Sequence, residues 1–278
     1  MVTEEKQHDD YGSTQSLLLT LFALFVYDHP TRHALQTRII LAALEDAEIQ
    51  ESTLRITINR MVKRNLLSRE RIGRISAFSL TESGEALLSR GRNRIFSAYP
   101  FGRHQDQWTL LNYAASLPKS LRYQFETRLQ WGGFSALDNR LWIAPGDIDA
   151  AELIGHILSD EELASLNIFQ AKIVPESKRK KIITTAWDLV HIRQAHERFI
   201  ATWAPESADH LPSLSAFIRL FNDWVYLLRT DPGLPVTDLD PDWPSIRSEG
   251  VFKQLYHPWR SAAEKQFHQI ESAILKAG

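Results

Sequence analysis

The sequence predicts an α+β protein with three folded parts behind a flexible N-terminus at residues 1–15. Apolar residues first recur at helical spacing and then alternate with polar residues around Gly73, which is typical of helices followed by a β-hairpin. The middle of the chain mixes strand-like and helical runs, and helical spacing returns after Pro175. We place the boundaries of the three parts at residues 16–98, 99–175 and 176–278.

Three helices are predicted in the first part, over residues 17–25, 38–47 and 51–64. Ser16 can cap the first of them, and Asp28-His29-Pro30 ends it. Apolar spacing gives each of the other two one core-facing stripe. The core-facing positions are Ile39, Leu41, Ala42 and Leu44 in the second helix and Leu54, Ile58, Met61 and Val62 in the third.

The third helix carries a polar face opposite its apolar stripe, and this face suits the major groove of DNA. Arginine can form two hydrogen bonds to guanine and asparagine two to adenine, while hydroxyl groups near a helix N-terminus suit phosphate. Ile56 lies on the same face. We predict that the helix binds DNA through Ser52, Thr53, Arg55, Asn59, Arg60, Lys63 and Arg64.

A β-hairpin is predicted to follow over residues 66–81, with Gly73 at its turn because glycine readily adopts positive φ. Arg69, Arg71 and Arg74 cluster at and near its tip, where they could contact backbone phosphate or the minor groove.

A returning helix over residues 82–90, capped by Thr81, completes the first part. Three helices, a basic hairpin and a returning helix in this order define a winged helix-turn-helix. We therefore predict a DNA-binding domain, and a protein-binding winged helix is the main alternative.

The distribution of charge supports a nucleic-acid partner. Between Arg55 and Arg94 the chain has ten arginine and lysine residues against three glutamates, a net charge of +7. The rest of the chain therefore carries −9, since the total is −2. A locally basic segment on an acidic protein is typical of phosphate contact, and a solvated helix face is the plainer alternative.

The middle part is predicted to follow a βαββαβ order, which is the ferredoxin-like arrangement. Its elements are a strand at residues 107–115, a helix at 120–131, a hairpin at 134–137 and 141–144, a helix at 148–158 and a strand at 166–173.

The last part is predicted to be helical, with long apolar helices at residues 182–203 and 214–228. Such tryptophan-rich helices form a core or line a ligand pocket. The basic run at residues 178–181 is either a solvated helix start or a second DNA contact. His191 and His196 are five residues apart, which misses the four-residue spacing of paired ligands on a helix, so we predict no metal site.

The composition and the start of the sequence indicate in which cellular compartment the protein functions. The chain has no cysteine, which excludes disulfides and thiolate metal sites and fits a reducing environment. The start is acidic and polar rather than signal-like, and the apolar run at residues 17–27 is far shorter than the roughly 20 residues that span a bilayer. We expect a soluble cytoplasmic protein without a membrane partner.

Four stretches carry a family resemblance. They are LLLTLFALFV at residues 17–26, the run from STLRITINRM to RNRIF at 52–96, the run from WTLLNY to LWIAP at 108–145 and the run from LPVTDLDPDWP to AEKQF at 234–267. Together they resemble the PaaX family, whose members regulate phenylacetate catabolism. Asn59 stands where that family tends to have a small polar residue, which puts the operator sequence in doubt. Asn65 stands where glycine is usual at the helix end, and asparagine tolerates the left-handed conformation there.

The resemblance implies that the middle part is similar to the small nuclease subunit of CRISPR adaptation, which dimerises through such a sheet. A metal-dependent nuclease would need carboxylates on the first strand, and residues 108–115 contain none. We therefore predict a homodimer that binds operator DNA and no enzymatic activity.

The resemblance also implies an aryl-CoA effector, with phenylacetyl-CoA as the first candidate and the last part as the sensing domain. Aromatic side chains would receive the aryl group, and cations would meet the phosphates. The thioester would favour a dimer geometry in which the two recognition helices no longer match the half-site spacing. Lys178 is a further available cation, and the candidate effector residues are Arg122, Arg128, Arg140, Trp187, Arg193, Trp224 and Arg229.

Overall fold

The computed structural model describes residues 13–47, 49–72, 75–97, 100–101, 106–113, 117–155, 157–206 and 212–276. Its helices and two small antiparallel sheets confirm the α+β class. The chain divides into two compact units, of which unit 1 comprises residues 1–95, 203–226 and 251–278 and unit 2 comprises 96–202 and 227–250. The predicted part at residues 176–278 therefore contributes to both units.

Unit 1 starts with a helix that begins earlier than predicted. Ser13, in an extended conformation, caps it by accepting a hydrogen bond from the backbone N of Ser16. Ser16 itself lies inside the helix, so its prediction as the cap was wrong. Of the predicted flexible N-terminus, residues 1–12 lie outside the described residues. The first elements are α1 (Thr14–Phe25), β1 (Ala34–Gln36), α2 (Thr37–Ala43) and α3 (Glu51–Lys63).

The second helix is shorter than predicted, since α2 ends at Ala43 and only a single 3-10 turn follows. Its buried stripe consists of residues four apart, Ile39 with Ala43 and Ile40 with Leu44. The predicted core positions Leu41 and Ala42 are only half-buried.

A hairpin and a helix follow, β2 (Leu67–Ile72), β3 (Ile75–Leu80) and α4 (Glu82–Ile95). The hairpin pairs Leu67 with Leu80 and Ile72 with Ile75. Gly73 and Arg74, the predicted turn residues, lie outside the described residues. β1 adds to the other edge of β3, so the antiparallel sheet has the order β1-β3-β2.

Unit 2 contains a four-stranded antiparallel sheet of order β5-β6-β4-β7. The predicted helix at 148–158 is shorter than predicted, since it spans only Ala150–Ile154 and ends at Gly155. A separate short helix, Asp160–Ala164, lies beyond that range and starts at a capping box of Ser159 and Glu162. The elements are β4 (Trp108–Tyr113), α5 (Lys119–Trp131), β5 (Ser135–Ala136), β6 (Leu141–Pro145), α6 (Ala150–Ile154), α7 (Asp160–Ala164) and β7 (Leu166–Ala171).

Both faces of the central strand β4 are covered, since its alternate residues pack against different helices, whereas the edge strand β7 is largely exposed. On one face Leu111 packs in a cluster with Phe125 of α5. On the other, Trp108 packs in a cluster with buried isoleucines of α8 (Arg179–Ala186) and α9 (Leu189–Trp203).

The predicted helix at 182–203 is interrupted between α8 and α9. The chain is extended at Trp187, so helical spacing does not continue across it. Val190, inside the helix predicted at 182–203, is 67% exposed on α9.

The last helices are α10 (Leu214–Thr230) and α11 (Ser245–Lys276). In unit 1 they pack against α1, where Phe25 stacks on Phe267 at 4.3 Å between ring centroids. The buried Asn222 of α10 accepts hydrogen bonds from the hydroxyls of Ser16 and Thr20. Helices from the two ends of the sequence thus share one core.

Candidate nucleic-acid interface and ligand cleft

The helix α3 separates a buried stripe from an exposed polar side, as predicted. Leu54, Ile58 and Met61 are buried in unit 1, and Val62 is half-buried. The seven predicted DNA-binding residues of the helix region all lie in solvent. These exposed residues are Ser52, Thr53, Arg55, Asn59, Arg60, Lys63 and Arg64.

Ile56 is 67% exposed on this polar side. It lies three and four residues before Asn59 and Arg60, so the three side chains neighbour one another on the helix surface. A large apolar side chain therefore stands among groups that can form hydrogen bonds.

Arg55 is already paired within the helix. Its Nε donates to Oε1 of Glu51 at 2.7 Å, and more than half of each side chain is exposed. The spacing of four residues is visible in the sequence, so this ion pair could have been predicted. The carboxylate offsets part of the positive charge of the face.

The side chain of Asn59 accepts a hydrogen bond from a residue of the β2–β3 hairpin. Nη2 of Arg69 donates to Oδ1 of Asn59 at 2.6 Å, while the guanidinium lies 5.2 Å from the ring centroid of Phe78. Arg69 sits in the middle of β2 rather than at the tip of the hairpin. No sequence signal points to this contact, because it joins a helix to a strand.

Several other predicted cations remain available to a ligand. Arg60, Lys63 and Arg71 are exposed and have no ion-pair or hydrogen-bond partner among the described residues. Nη1 of Arg64 donates to Oε1 of Gln15 at 3.4 Å.

One cleft of unit 2, with a volume of about 620 Å³, brings together two of the candidate effector residues. Arg122 reaches it from α5 and Arg140 from the β5–β6 loop, and Tyr113 and Trp142 also line it. In the described part of the chain neither guanidinium lies within ion-pair distance of a carboxylate. The cleft therefore offers two cations beside two aromatic rings.

Hydrogen bonds involving Asp138 and Tyr113 fix the loop that borders this cleft. Asp138 accepts hydrogen bonds from the backbone N of Arg140 and of Leu141, both at 2.8 Å, and so fixes the loop. Burial raises the pKa of the Tyr113 hydroxyl, which stays neutral and donates to the carbonyl of Asn139 at 3.1 Å.

A smaller cleft of unit 2, of about 200 Å³, contains two further candidates, Trp187 and Arg229. The guanidinium of Arg229 lies 5.7 Å from the ring centroid of Trp131. His191 also lines this cleft.

The remaining three candidates line neither cleft. Hydrogen bonding to Asp242 raises the pKa of Arg193, which also binds Asp240. Arg128 is half-buried. Trp224 belongs to unit 1, where it is 1% exposed and stacks on Phe252 at 4.2 Å.

His196 is a buried structural residue of unit 2. Its Nε2 lies 2.8 Å from Oδ2 of Asp231 and its Nδ1 lies 2.9 Å from the hydroxyl of Ser248. The described ranges contain no group of three or more histidine, aspartate or glutamate residues that could hold a metal ion. Across the same ranges, no helix is both long enough and apolar enough to cross a membrane.

Comparison with known proteins identifies the class as transcriptional repressors. The transcriptional repressor PaaX of Escherichia coli (strain K12) is 28% identical over 240 residues, which cover 81% of this chain and 74% of that protein. The family described as PaaX-like protein matches residues 13–84, and its C-terminal domain matches residues 187–269. The chain belongs to the PaaX-like family.

A solved structure shares the fold. The uncharacterized protein Rv0674 from Mycobacterium tuberculosis superimposes with a TM-score of 0.57 over 92% of this chain and 99% of that one, at 20% identity.

Proposed function

We propose that this repressor binds operator DNA through a winged helix-turn-helix made of α3 and the β2–β3 hairpin. The observation that carries the proposal is the exposed side of α3, where hydroxyl, carboxamide and basic groups lie opposite a buried apolar stripe. The major groove is about 12 Å wide and admits an α-helix. Arg60 and Lys63 have no described partner to give up on binding.

Salt dependence tests this proposal. We expect affinity for the chain's own upstream DNA to fall steeply as salt rises, with the log–log slope changing by about 0.9 for each phosphate contact. Lys63→Ala should lower both affinity and slope. Lys181→Ala is the matched control, because Lys181 is an exposed lysine of unit 2 outside the proposed interface. A flat salt response would instead favour a winged helix that binds protein.

The same proposal includes control by a ligand. We infer that an aryl-CoA thioester, with phenylacetyl-CoA as the first candidate, releases the repressor from genes for phenylacetate or related aromatic catabolism. Membership of the PaaX-like family supports this, and so does the cleft with Arg122 and Arg140. Two cations without described ion-pair partners suit phosphates, and Trp142 and Tyr113 suit an aryl group.

The ligand would act by preferring a protein state that binds DNA weakly. In our proposal the central βαββαβ sheet is ferredoxin-like and joins two copies in a homodimer. The ligand then favours a dimer whose recognition helices do not match the half-site spacing. Linkage requires that DNA weaken ligand binding by the same factor.

Ligand response is measured by DNA binding with and without excess phenylacetyl-CoA. We expect the thioester to release wild-type protein from DNA and to have less effect on Arg122→Ala and Arg140→Ala. Arg193→Ala should respond as wild type, because Arg193 is already engaged by Asp240 and Asp242. Equal DNA binding with and without the thioester would contradict the proposed control.

A second assay addresses catalysis. The homologous protein is a repressor, and β4 carries no carboxylate that could bind a catalytic metal ion. We expect no nuclease activity above background with magnesium or manganese.

A further inference from the structure

The contact between Arg69 and Asn59 fixes one end of the carboxamide. A guanidinium has only hydrogen-bond donors, so the atom that it meets at 2.6 Å must be the carbonyl oxygen of Asn59. The oxygen and the nitrogen of the carboxamide, which have nearly the same shape, are therefore distinguished by their hydrogen bonding.

Arg69 is itself held in place. It is paired across the hairpin with Phe78, whose buried ring lies 5.2 Å from the guanidinium. Cross-strand neighbours on one face of a sheet keep their side chains close together. The guanidinium that contacts Asn59 thus lies against a buried ring, while its own charge stays exposed.

The orientation of a carboxamide decides which base edge it recognises. Adenine requires the oxygen to accept from N6 while the amino group donates to N7. A carbonyl oxygen has two lone pairs, so a bond from Arg69 leaves one of them for a base. Fixing the group beforehand removes the entropy cost of orienting it during binding.

We propose that Arg69 is a positioning residue that orients Asn59 for base recognition in the major groove, an inference that rests on the proposed DNA-binding function. Its role differs from that of a phosphate contact. Loss of a phosphate contact weakens binding to all sequences alike, whereas loss of a positioning residue removes the preference at one base pair.

The experiment uses the full chain and a library of random-sequence duplex DNA. The preferred duplex is selected with wild-type protein, and dissociation constants are then measured for it and for each single base-pair substitution. Asn59→Ala identifies the base pair whose discrimination depends on Asn59. We expect Arg69→Ala to reduce discrimination at that same pair about tenfold and to leave the other positions unchanged.

Two further variants sharpen the test. Arg69→Met keeps the unbranched stem against Phe78 but removes the donors, so it should behave as Arg69→Ala even if the latter loses stability. The double variant of Asn59 and Arg69 should lose no more discrimination than Asn59→Ala alone, because both changes remove one interaction. Arg71→Ala, on the same strand, should weaken all duplexes equally.

Two results would overturn the inference. One is that both Arg69 variants weaken all duplexes equally, as Arg71→Ala does. The other is that Asn59→Ala leaves discrimination unchanged at all base pairs. Failure of the proposed function looks different, because the wild-type chain would then enrich no sequence from the library.

Discussion

Ile56 exposes an apolar side chain on a helix side that otherwise carries polar and basic groups. In the major groove the apolar group of a base edge is the 5-methyl of thymine. Contact between the Ile56 side chain and this methyl group would displace water from both. Burying a group of that size contributes about 0.8 kcal/mol to the binding free energy. Ile56 is therefore suited to a thymine beside the base that we propose Asn59 recognises.

Replacing thymines of the selected duplex one at a time with deoxyuridine tests this contact. We expect one replacement to weaken wild-type binding by about 0.8 kcal/mol, roughly fourfold, because the methyl group is lost. Ile56→Ala should bind the two duplexes equally. If the variant keeps the wild-type sensitivity to this replacement, another residue contacts the methyl.

Glu271 of α11 forms a largely enclosed ion pair with Arg32 in unit 1. Arg32 donates to both of its carboxylate oxygens, at 2.7 and 2.8 Å, and both residues are half-buried. The hydrogen bond from Arg32 lowers the pKa of Glu271 below its ordinary value of 4.5. A lowered carboxyl pKa stabilises the fold above the unfolded value, and this contribution is lost as pH falls through the folded value.

We expect Glu271→Gln to lower Tm at pH 7 by a few degrees, since about 1 kcal/mol shifts Tm by about 2–4 °C in a chain of this size. The difference from wild type should disappear in acid, once Glu271 is protonated in both the folded and the unfolded state. Thermal unfolding at neutral and acidic pH measures it. Glu264→Gln is the control, because its pair with Arg260 is exposed and should contribute little. A difference independent of pH would exclude the ion pair as the cause.

Individual side chains were predictable where local spacing determines them. The exposure of the polar side of α3 follows from helical periodicity, and Asn65 adopts a left-handed φ of 55° as its place at a helix end predicts. The bond from Arg69 to Asn59 was not predictable, because only the packing of a hairpin against a helix brings them together.

At the level of elements, strongly periodic segments such as α3, α5 and the β2–β3 hairpin were predicted nearly to their ends. β1 was missed because three residues are too few to show alternation. The continuous apolar run at 182–203 hid the break at Trp187, which depends on packing rather than on composition.

Gly84 shows how tightly α4 packs on the hairpin. A Cβ added there would collide with the backbone oxygen of Leu66, just before β2, and a backbone atom cannot move aside cheaply. We expect Gly84→Ala to lower the free energy of unfolding by about 1–3 kcal/mol.

Gly250 of α11 is the matched control for this substitution. A Cβ added there meets nothing within 4 Å, and alanine favours a helix over glycine by up to about 1 kcal/mol. Gly250→Ala should therefore be neutral or stabilising in denaturant unfolding. Equal losses for the two variants would mean that the contact at Leu66 is not the cause.

The division of the whole chain into units could not be predicted from the sequence. Unit 1 joins α1 to α10 and α11 through contacts such as that of Ser16 with Asn222, which are more than two hundred residues apart. Periodicity identifies helices but carries no signal for which of them pair. The predicted boundaries at residues 98 and 175 divide the chain into consecutive segments. The core of unit 1, in contrast, is formed by segments from both ends of the chain.

The basic side of α3 belongs to a chain whose total charge is −2, and this has a kinetic consequence. At about 0.15 M salt, charges are screened beyond about 8 Å, so a distant duplex experiences little attraction from the nearly neutral protein. We expect stopped-flow association rates to change little as salt rises and dissociation rates to carry most of the salt dependence. A steep fall in the association rate would show instead that the basic side acts at long range. If association rates change little, as expected, salt governs how long the protein stays on DNA rather than how often it arrives.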